Sequence, residues 1–230
     1  GLLIASGVVI GNIIAFFVLK HEKLDFNDWM ILEAYCILGG FLGAKLLYLL
    51  VSYKSIDWSR ITDFQYFNAL MLSGFVFYGG LIFGLIFVFL AGKIHKIPAG
   101  IYVRKFIFLI PFMHSFGRVG CFMAGCCYGK ETESVFSVIF QNSEYAPNHV
   151  ALIPTQLYSG GLDFLHFLLL LLIARNKKED GQVTACYLIF YSIGRFVIEF
   201  FRGDIIRGSV GILSTSQFIS IFTGIAGIVL

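Results

Sequence analysis

The chain has 230 residues, of which 58% are hydrophobic and only 13% are charged, and its mean hydropathy is +0.84. A soluble domain of this length carries about 25% charged residues, so the composition excludes an ordinary soluble globular protein. The net charge of +3 comes without a basic face interleaved with aromatic side chains, and we therefore expect no nucleic-acid partner.

The apolar residues form long blocks rather than the alternating pattern of a β-barrel, which favours membrane-spanning helices. The first and last of seven blocks are barely long enough to span. We therefore predict an all-α, polytopic integral membrane protein with about seven transmembrane helices in a single domain, residues 1–230. The blocks cover residues 1–19, 30–53, 70–92, 102–124, 154–174, 183–201 and 209–230.

Loop charges predict the orientation of the chain in the membrane. The loops after the first, third and fifth blocks hold more Lys and Arg residues than the other loops, so the positive-inside rule favours an N-out, C-in topology. The long polar connection at 128–153 then lies outside, where we expect an arm or lid. Its apolar run from Val135 to Phe140 can pair as a short strand or lie at the membrane interface.

The fourth block contains two features that affect its backbone and its chemistry. Pro111 falls inside it and is expected to kink the helix. Arg118 follows, with His114 four residues before it and Cys121 three residues after it, so the three share one face if the helix continues through Gly120.

An arginine at membrane depth is costly and is usually retained for a partner or a task. The planar guanidinium of Arg118 suits a bidentate contact with phosphate. The alternative is that Arg118 snorkels or tethers backbone carbonyls at the helix end. His114 is the histidine placed to act as a base beside Arg118.

A second charged group lies in the sixth block. Arg195 and Glu199 are four residues apart, which is within salt-bridge reach on a helix. They can form an internal pair in which each charge offsets the burial of the other, or Glu199 can orient Arg195 toward an anionic ligand. Arg202 comes three residues later and can be merely interfacial.

Polar residues and glycines mark two further candidate positions. In the third block, Tyr78 precedes Gly79 and Gly80, and paired glycines in a span allow a break or a close helix approach. Tyr78 can donate a hydrogen bond into a cavity or serve as an interfacial aromatic. At the start of the fifth block, Gln156 and Tyr158 are polar groups at a membrane entry.

Two titratable residues lie deeper in the fifth block. Asp163 and His166 are three residues apart, and an acid in this position suggests a proton relay. Helix capping or pairing with Lys45 is an equally good explanation of Asp163. Lys45 itself lies on a glycine-rich face as a pocket cation or a snorkelling residue.

The cysteines Cys121, Cys126 and Cys127, together with His114, offer four potential metal ligands. Adjacent cysteines rarely serve one tetrahedral ion, and no paired C-x-x-C is present. We therefore expect no metal and no other cofactor. A disulfide within the cluster, or free thiols packed near the pocket, is the expected arrangement.

Five motifs, in order along the chain, resemble those of bacterial prolipoprotein diacylglyceryl transferases. The segment Gly39–Tyr48 is similar to the family's glycine-rich second helix, and Tyr78–Leu81 to its His-Gly-Gly-Leu motif. The segment Gly117–Gly125, which contains Arg118, is similar to the family's signature. Pro154–Tyr158 is similar to the family's Pro-Ser-Gln-Leu-Tyr, and Arg195–Arg202 matches its Arg-x-x-x-Glu-Phe-x-Arg.

The resemblance implies an activity and a site. Family members move the diacylglyceryl group of phosphatidylglycerol to the lipobox cysteine thiol of an exported lipoprotein precursor, in the bacterial cytoplasmic (inner) membrane, and release glycerol phosphate. Arg118 and Arg195 would hold the lipid phosphate, and Glu199 would position Arg195. The remaining catalytic candidates are Tyr78, His114 and Cys121, and the substrate-binding candidates are Gly79, Gly80, Gly117, Gly120, Cys126, Gln156, Tyr158 and Arg202.

This chain departs from the family pattern at four positions. Tyr78 replaces the family histidine, Cys121 and Ala124 replace two asparagines, and Cys126 replaces the following acid. His114 can then serve as a substitute base, or a cysteine of the cluster as a transient acceptor. The alternative functions are a phospholipid-binding or lipid-moving membrane protein without transferase activity, and a transferase with a different acceptor.

Overall fold

Helices dominate the structure because a chain this apolar must satisfy its backbone polar groups internally. The computed structural model describes residues 1–72, 74–176, 180–204 and 209–230, and the predicted all-α class is confirmed. The helices are α1 (Leu2–Glu22), α2 (Phe26–Val51), α3 (Phe64–Leu72), α4 (Phe77–His95), α5 (Ala99–Phe106), α6 (Leu109–Ala124), α7 (Thr155–Asn176), α8 (Asp180–Glu199) and α9 (Thr215–Val229). Four two-residue strands form two antiparallel pairs: β1 (Val138–Ile139) with β2 (Ala151–Leu152), and β3 (Ser209–Val210) with β4 (Leu213–Ser214).

Several of these helices are suited to cross a membrane. Among the described residues, five helices are long and apolar enough, namely α1, α2, α4, α7 and α8, and the bent pair of α5 and α6 makes a sixth. The apolar helix α9 has only 15 residues. The chain is thus a polytopic membrane protein, while the count of seven spans and the N-out, C-in orientation stay predictions.

The bend in the fourth block lies before Pro111 rather than at it. Helices α5 and α6 meet at 59°, and the break falls at Ile107 and Phe108. Pro111 is in the first turn of α6, where a missing N–H costs no helical hydrogen bond. Both residues at the break are buried, so protein covers the interrupted backbone.

Two predicted blocks are divided in the structure. In the block 70–92, α3 ends at Leu72 and α4 begins at Phe77, with Gly74 between them in the left-handed region at φ 68°. In the block 209–230, the β3–β4 hairpin occupies the first residues. Ser214 then starts α9 through a capping box with Gln217.

Contacts divide the chain into two compact units, residues 19–102 and residues 1–18 with 103–230. In the first unit α2 packs on α4 at a crossing lined by glycines. A Cβ added at Gly43 would overlap the Gly79 carbonyl oxygen and the Phe83 side chain. The two backbones therefore approach as closely as small-residue interfaces in membranes allow.

The second unit contains the C-terminal helices. Helix α6 packs on α7, α7 on α8 and α8 on α9. Gly7 of α1 faces Phe116 of α6, and Gly11 faces Met113. The unit thus arranges α6, α7 and α8 side by side.

The predicted arm at 128–153 contains the β1–β2 pair, as its apolar run allowed, while Val135 and Phe136 are highly exposed. Its first residues are bound to the chain that follows α8. The Lys130 N–H donates to the Phe201 carbonyl at 2.9 Å, and the Gly203 N–H donates to the Tyr128 carbonyl at 3.1 Å. These bonds fix the segment that enters the arm.

The glycine crossing predicts different effects for two substitutions on α2. Gly43→Ala would force the α2 and α4 backbones apart and cost about 1–3 kcal/mol, whereas the Cβ of Gly40→Ala would meet its nearest atom at 3.8 Å, an ordinary contact. Thermal unfolding of the detergent-solubilised protein should show a lower midpoint for Gly43→Ala alone. Equal midpoints would contradict the close crossing.

Candidate active site

Helices α6, α7 and α8 enclose a cavity of about 270 Å³ within the second unit. Arg118 of α6 and Arg195 of α8 both line it. The cavity wall also includes His114, Ser159, Asp163, His166, Tyr191 and Gly194, and apolar side chains of α7 and α8 complete it. The two arginines that the sequence singled out, 77 positions apart in the chain, therefore face the same space.

Arg195 is held on two sides. Its Nη2 lies 2.8 Å from Glu199 Oε2, which confirms the ion pair that the spacing predicts, and the same nitrogen donates to Ser216 Oγ of α9 at 2.7 Å. The Glu199 contact is an ion pair rather than an aligned hydrogen bond, because Glu199 Oε2 accepts none among the described residues. With both side chains about nine-tenths buried, the carboxylate offsets part of the cost of burying the guanidinium.

Arg118 reaches the cavity from the opposite helix. A Cβ added at Gly160 of α7 would lie only 3.3 Å from the Arg118 Cβ, so the small residue lets α7 pass close to Arg118. Arg118 Nε and Arg195 Nη1 are both buried and have no hydrogen-bond acceptor in the described part of the chain. Buried donors normally have a partner, so two such donors on one cavity indicate a site for an anion.

The electrostatics of the cavity point the same way. Arg195 interacts with the positive charges of Arg118 and Arg202 as well as with Glu199. Like charges in a low-dielectric site repel each other strongly. An anion placed between Arg118 and Arg195 would remove that repulsion and supply acceptors for their buried nitrogens.

His114 and Asp163 meet in the cavity, with His114 Nδ1 3.1 Å from Asp163 Oδ2. The partner of Asp163 is thus a histidine on the neighbouring helix. Lys45, the other partner considered for it, donates instead to the carbonyls of Leu70 and Gly74. The pairing of His114 with Asp163 depends on how α6 packs on α7, which no local spacing reveals.

The cysteines at the end of α6 form a cluster. The Sγ atoms of Cys121, Cys126 and Cys127 all lie within 4.8 Å of one another, and among the described residues none of the three forms a disulfide. Gln156 Nε2 donates to the Cys126 carbonyl at 2.9 Å, and Thr155 Oγ1 donates to the Cys127 carbonyl at 3.0 Å. Gln156 therefore supports the backbone of the thiol cluster and is not part of the cavity wall.

Arg202 lies in the segment after α8. It makes a bidentate pair with Asp204, at 2.8 Å to Oδ1 and 2.6 Å to Oδ2, and its side chain is only 5% exposed. Burial acts to lower the pKa of Arg202, but the Asp204 carboxylate outweighs burial and raises that pKa above its ordinary value. Its fork is thus engaged by the protein itself.

The remaining predicted residues have separate places. Gly79 and Gly80 lie at the α2–α4 crossing, and Tyr78 is half-buried in the same unit. Tyr158 is 44% exposed on α7. A Cβ added at Gly117 would meet no atom within 4 Å, and one at Gly120 would meet only Leu3, at 3.9 Å, so described neighbours do not require glycine at either position.

The structure adds residues that the sequence reasoning did not place at the site. Tyr191 lines the cavity, and its position four residues before Arg195 on the same helix face is a signal that could have found it. Ser216 reaches Arg195 only because α9 packs on α8. His166 also lines the cavity and stacks on Tyr187 with ring centroids 5.4 Å apart.

Comparison with known proteins identifies the family. The sequence profile of the family described as "Prolipoprotein diacylglyceryl transferase" matches residues 1–230. The chain belongs to this family of enzymes. It is 40% identical to the phosphatidylglycerol–prolipoprotein diacylglyceryl transferase of Clostridium tetani (strain Massachusetts / E88), over 99% of this chain and 89% of that protein.

Two further relatives carry similar names. The phosphatidylglycerol–prolipoprotein diacylglyceryl transferase 2 of Clostridium perfringens (strain 13 / Type A) is 38% identical over 100% of this chain and 88% of its own length. The phosphatidylglycerol–prolipoprotein diacylglyceryl transferase of Clostridioides difficile (strain 630) is 31% identical over 100% of this chain and 87% of its own length.

The contact between Ser216 and Arg195 can be tested with a matched pair on α9. Ser216→Ala removes a hydrogen bond to a buried charged group, which is worth roughly 1.5 kcal/mol or more, so affinity for glycerol phosphate should fall about tenfold. Ser220 is equally buried but bonds the Ser216 carbonyl instead. Calorimetric titration should show Ser220→Ala binding like the unaltered protein, and equal losses in both variants would contradict the assignment.

Proposed function

We propose that this protein transfers the diacylglyceryl group of phosphatidylglycerol to the lipobox cysteine thiol of an exported prolipoprotein, in the bacterial cytoplasmic membrane. Family membership and the names of the relatives support this reaction. The observation that carries it is that Arg118 and Arg195 line one cavity and that each has a buried nitrogen without a hydrogen-bond acceptor among the described residues. Such a site suits the phosphate of the lipid donor.

The donor half of the reaction follows from the charges in the cavity. As the bond between the glyceryl carbon and the phosphate oxygen breaks, negative charge grows on the leaving glycerol phosphate. Arg118 and Arg195 would already be in place when that charge develops, and donors preorganised in this way lower the barrier. Glu199 and Ser216 hold Arg195 in this orientation.

The size of the cavity also fits a headgroup. Its volume of about 270 Å³ lies just below the usual range for ligand pockets, about 300–1,000 Å³, so it is suitable for glycerol phosphate but not for two acyl chains. We expect the acyl chains to remain in the surrounding lipid. The transferred carbon would then lie near the cavity mouth, where an acceptor peptide can approach it.

The acceptor half needs a base, because the thiolate and not the thiol is the nucleophile. Tyr78 replaces the family histidine, and we assign the role to His114. Asp163 Oδ2 lies 3.1 Å from His114 Nδ1, and we infer that this contact orients the ring and leaves Nε2 to take the thiol proton. The sulfur then bonds to the glyceryl carbon while the C–O electron pair leaves with the phosphate.

Tyr78 and Cys121 replace the family's histidine and asparagine, so two alternative functions stand beside the proposed transfer. One is a phospholipid-binding or lipid-moving protein that retains only the phosphate site. The other is a transferase that uses a different acceptor.

Vesicle reconstitution with labelled phosphatidylglycerol and a lipobox peptide tests the proposal. Arg118→Ala and Arg195→Lys should each lower the transfer rate by about 100-fold or more, because one loses the charge and the other the planar fork. The exposed Arg175 at the end of α7 provides the control, and Arg175→Ala should retain the full rate. Saturable lipid binding without release of glycerol phosphate would show that the protein only binds or moves phospholipid. Labelled product formed without the peptide would show that the transferase uses a different acceptor.

The base assignment predicts a distinct kinetic pattern. His114→Gln should lower kcat by about 100-fold or more while KM for phosphatidylglycerol changes little. Asp163→Asn should give a smaller loss and shift the pH dependence of kcat, because the residue acts only through His114. Combining the two should add little to the His114 effect, and an unchanged rate for His114→Gln would rule out this base.

A further inference from the structure

Three thiols lie at the end of α6, and the proposed mechanism gives none of them a role. Cys121 is on the last turns of α6, and Cys126 and Cys127 follow the helix end. Their Sγ atoms lie within 4.8 Å of one another. In a tetrahedral zinc site with Zn–S bonds of about 2.3 Å, neighbouring sulfurs are about 3.8 Å apart, so small side-chain rotations close the cluster onto one ion.

The backbone bends to bring the adjacent cysteines to the same side. Gly125 ends α6 in the left-handed region at φ 71°, and its N–H bonds the carbonyls of Cys121 and Phe122. Cys127 is also left-handed, at φ 61°, which is costly for a residue with a side chain. Two left-handed residues in three positions turn the chain back toward Cys121.

This strained loop is held from outside. Thr155 and Gln156, each 1% exposed, donate to the carbonyls of Cys127 and Cys126. These bonds fix the backbone that carries Cys126 and Cys127, so that only small side-chain rotations remain for the sulfur atoms to meet one ion. Adjacent cysteines rarely serve one ion, and the sequence therefore predicts no metal. In this loop conformation, however, the two can serve one ion together with Cys121.

The surroundings of the cluster are positively charged. Arg118 interacts electrostatically with Cys121, and Arg202 forms a side-chain hydrogen bond with Cys127. Arg202 is already paired with Asp204. The Arg118 guanidinium is therefore the nearby cation that would offset the net charge of −1 carried by three thiolates and one divalent cation.

We propose that Cys121, Cys126 and Cys127 bind one zinc ion through three thiolates, and that its fourth position accepts the thiol of the acceptor peptide. Three protein ligands with one open position are typical of catalytic rather than structural zinc. This inference rests on the proposed function for the identity of the fourth ligand, while the metal site itself rests on the cluster alone.

Transfer to a zinc-bound thiol needs no oxidant or reductant. The acceptor thiol loses its proton on binding zinc, because a coordinating thiol is deprotonated, and the proton passes to His114. The bound sulfur attacks the glyceryl carbon; a C–S bond forms, the C–O bond breaks, and the phosphate leaves with the electron pair. The thioether product is neutral and a weaker ligand, so it leaves the zinc, whose oxidation state never changes.

Cobalt(II) is the probe for the site, because its spectrum reports thiolate ligation and tetrahedral geometry. The reduced, metal-free full chain in detergent should bind one equivalent with a sulfur charge-transfer band and intense visible bands. Cys121→Ser, Cys126→Ser and Cys127→Ser should each lose these bands, whereas Cys36→Ser and Cys186→Ser should keep them. Weak octahedral bands, or bands that survive in the cluster variants, would overturn the site.

A second arm tests the open position with the unaltered protein. A lipobox peptide containing cysteine should shift the visible cobalt bands, and the same peptide with serine should not. Removing the metal by chelation should lower transfer at least 100-fold, and zinc should restore it. A full transfer rate in the metal-free protein, or a disulfide within the cluster of the active enzyme, would refute the zinc site and leave the transferase standing; cobalt binding without any transfer would refute the transferase and leave the site.

Discussion

The burial of two positive charges in an apolar helix bundle is the constraint on which this structure depends. Neither Arg118 nor Arg195 can stay at membrane depth without compensation, and Glu199 compensates only one of them directly. We propose that a ligand phosphate in the cavity lined by α6, α7 and α8 supplies the missing negative charge. Donor binding and transition-state stabilisation are therefore expected to use the same contacts.

The fold concentrates its polar chemistry on the second unit. Along α6, His114, Arg118 and Cys121 follow one another at helical spacing, and the structure gives each a different neighbour: Asp163 to the histidine, the cavity to the arginine, and two thiols to the cysteine. One helix thus carries the proposed base, one arginine of the proposed phosphate site and one ligand of the proposed metal site. An acceptor thiol that reaches the cluster would meet the phosphate one helical turn away.

Sequence patterns are informative where the interaction is local. Arg195 and Glu199 pair because they are four residues apart on one helix, and the apolar blocks become helices because lipid leaves the backbone no other partner. The shared cavity of Arg118 and Arg195 was expected from their resemblance to family motifs, since nothing in either segment refers to the other. Family resemblance here carried information that spacing alone does not contain.

Other features depend on tertiary packing and left little trace in the sequence. Ser216 is one of several hydroxyl residues near the start of α9, and only the packing of α9 on α8 selects it. The bend at Phe108 lies among apolar residues, so the nearby Pro111 drew attention to the wrong position. The left-handed conformation of Cys127 is likewise set by Thr155 and Gln156, more than 25 positions away.

A structure determined with phosphatidylglycerol bound would show whether the two arginines hold one phosphate. The decisive measurement is the pair of distances from the lipid phosphate oxygens to Arg118 Nε and to Arg195 Nη1. Our account predicts that one phosphate lies about 2.7–2.9 Å from both nitrogens, as in charge-assisted hydrogen bonds. A phosphate bound outside this cavity, or one that touches neither arginine, would contradict it.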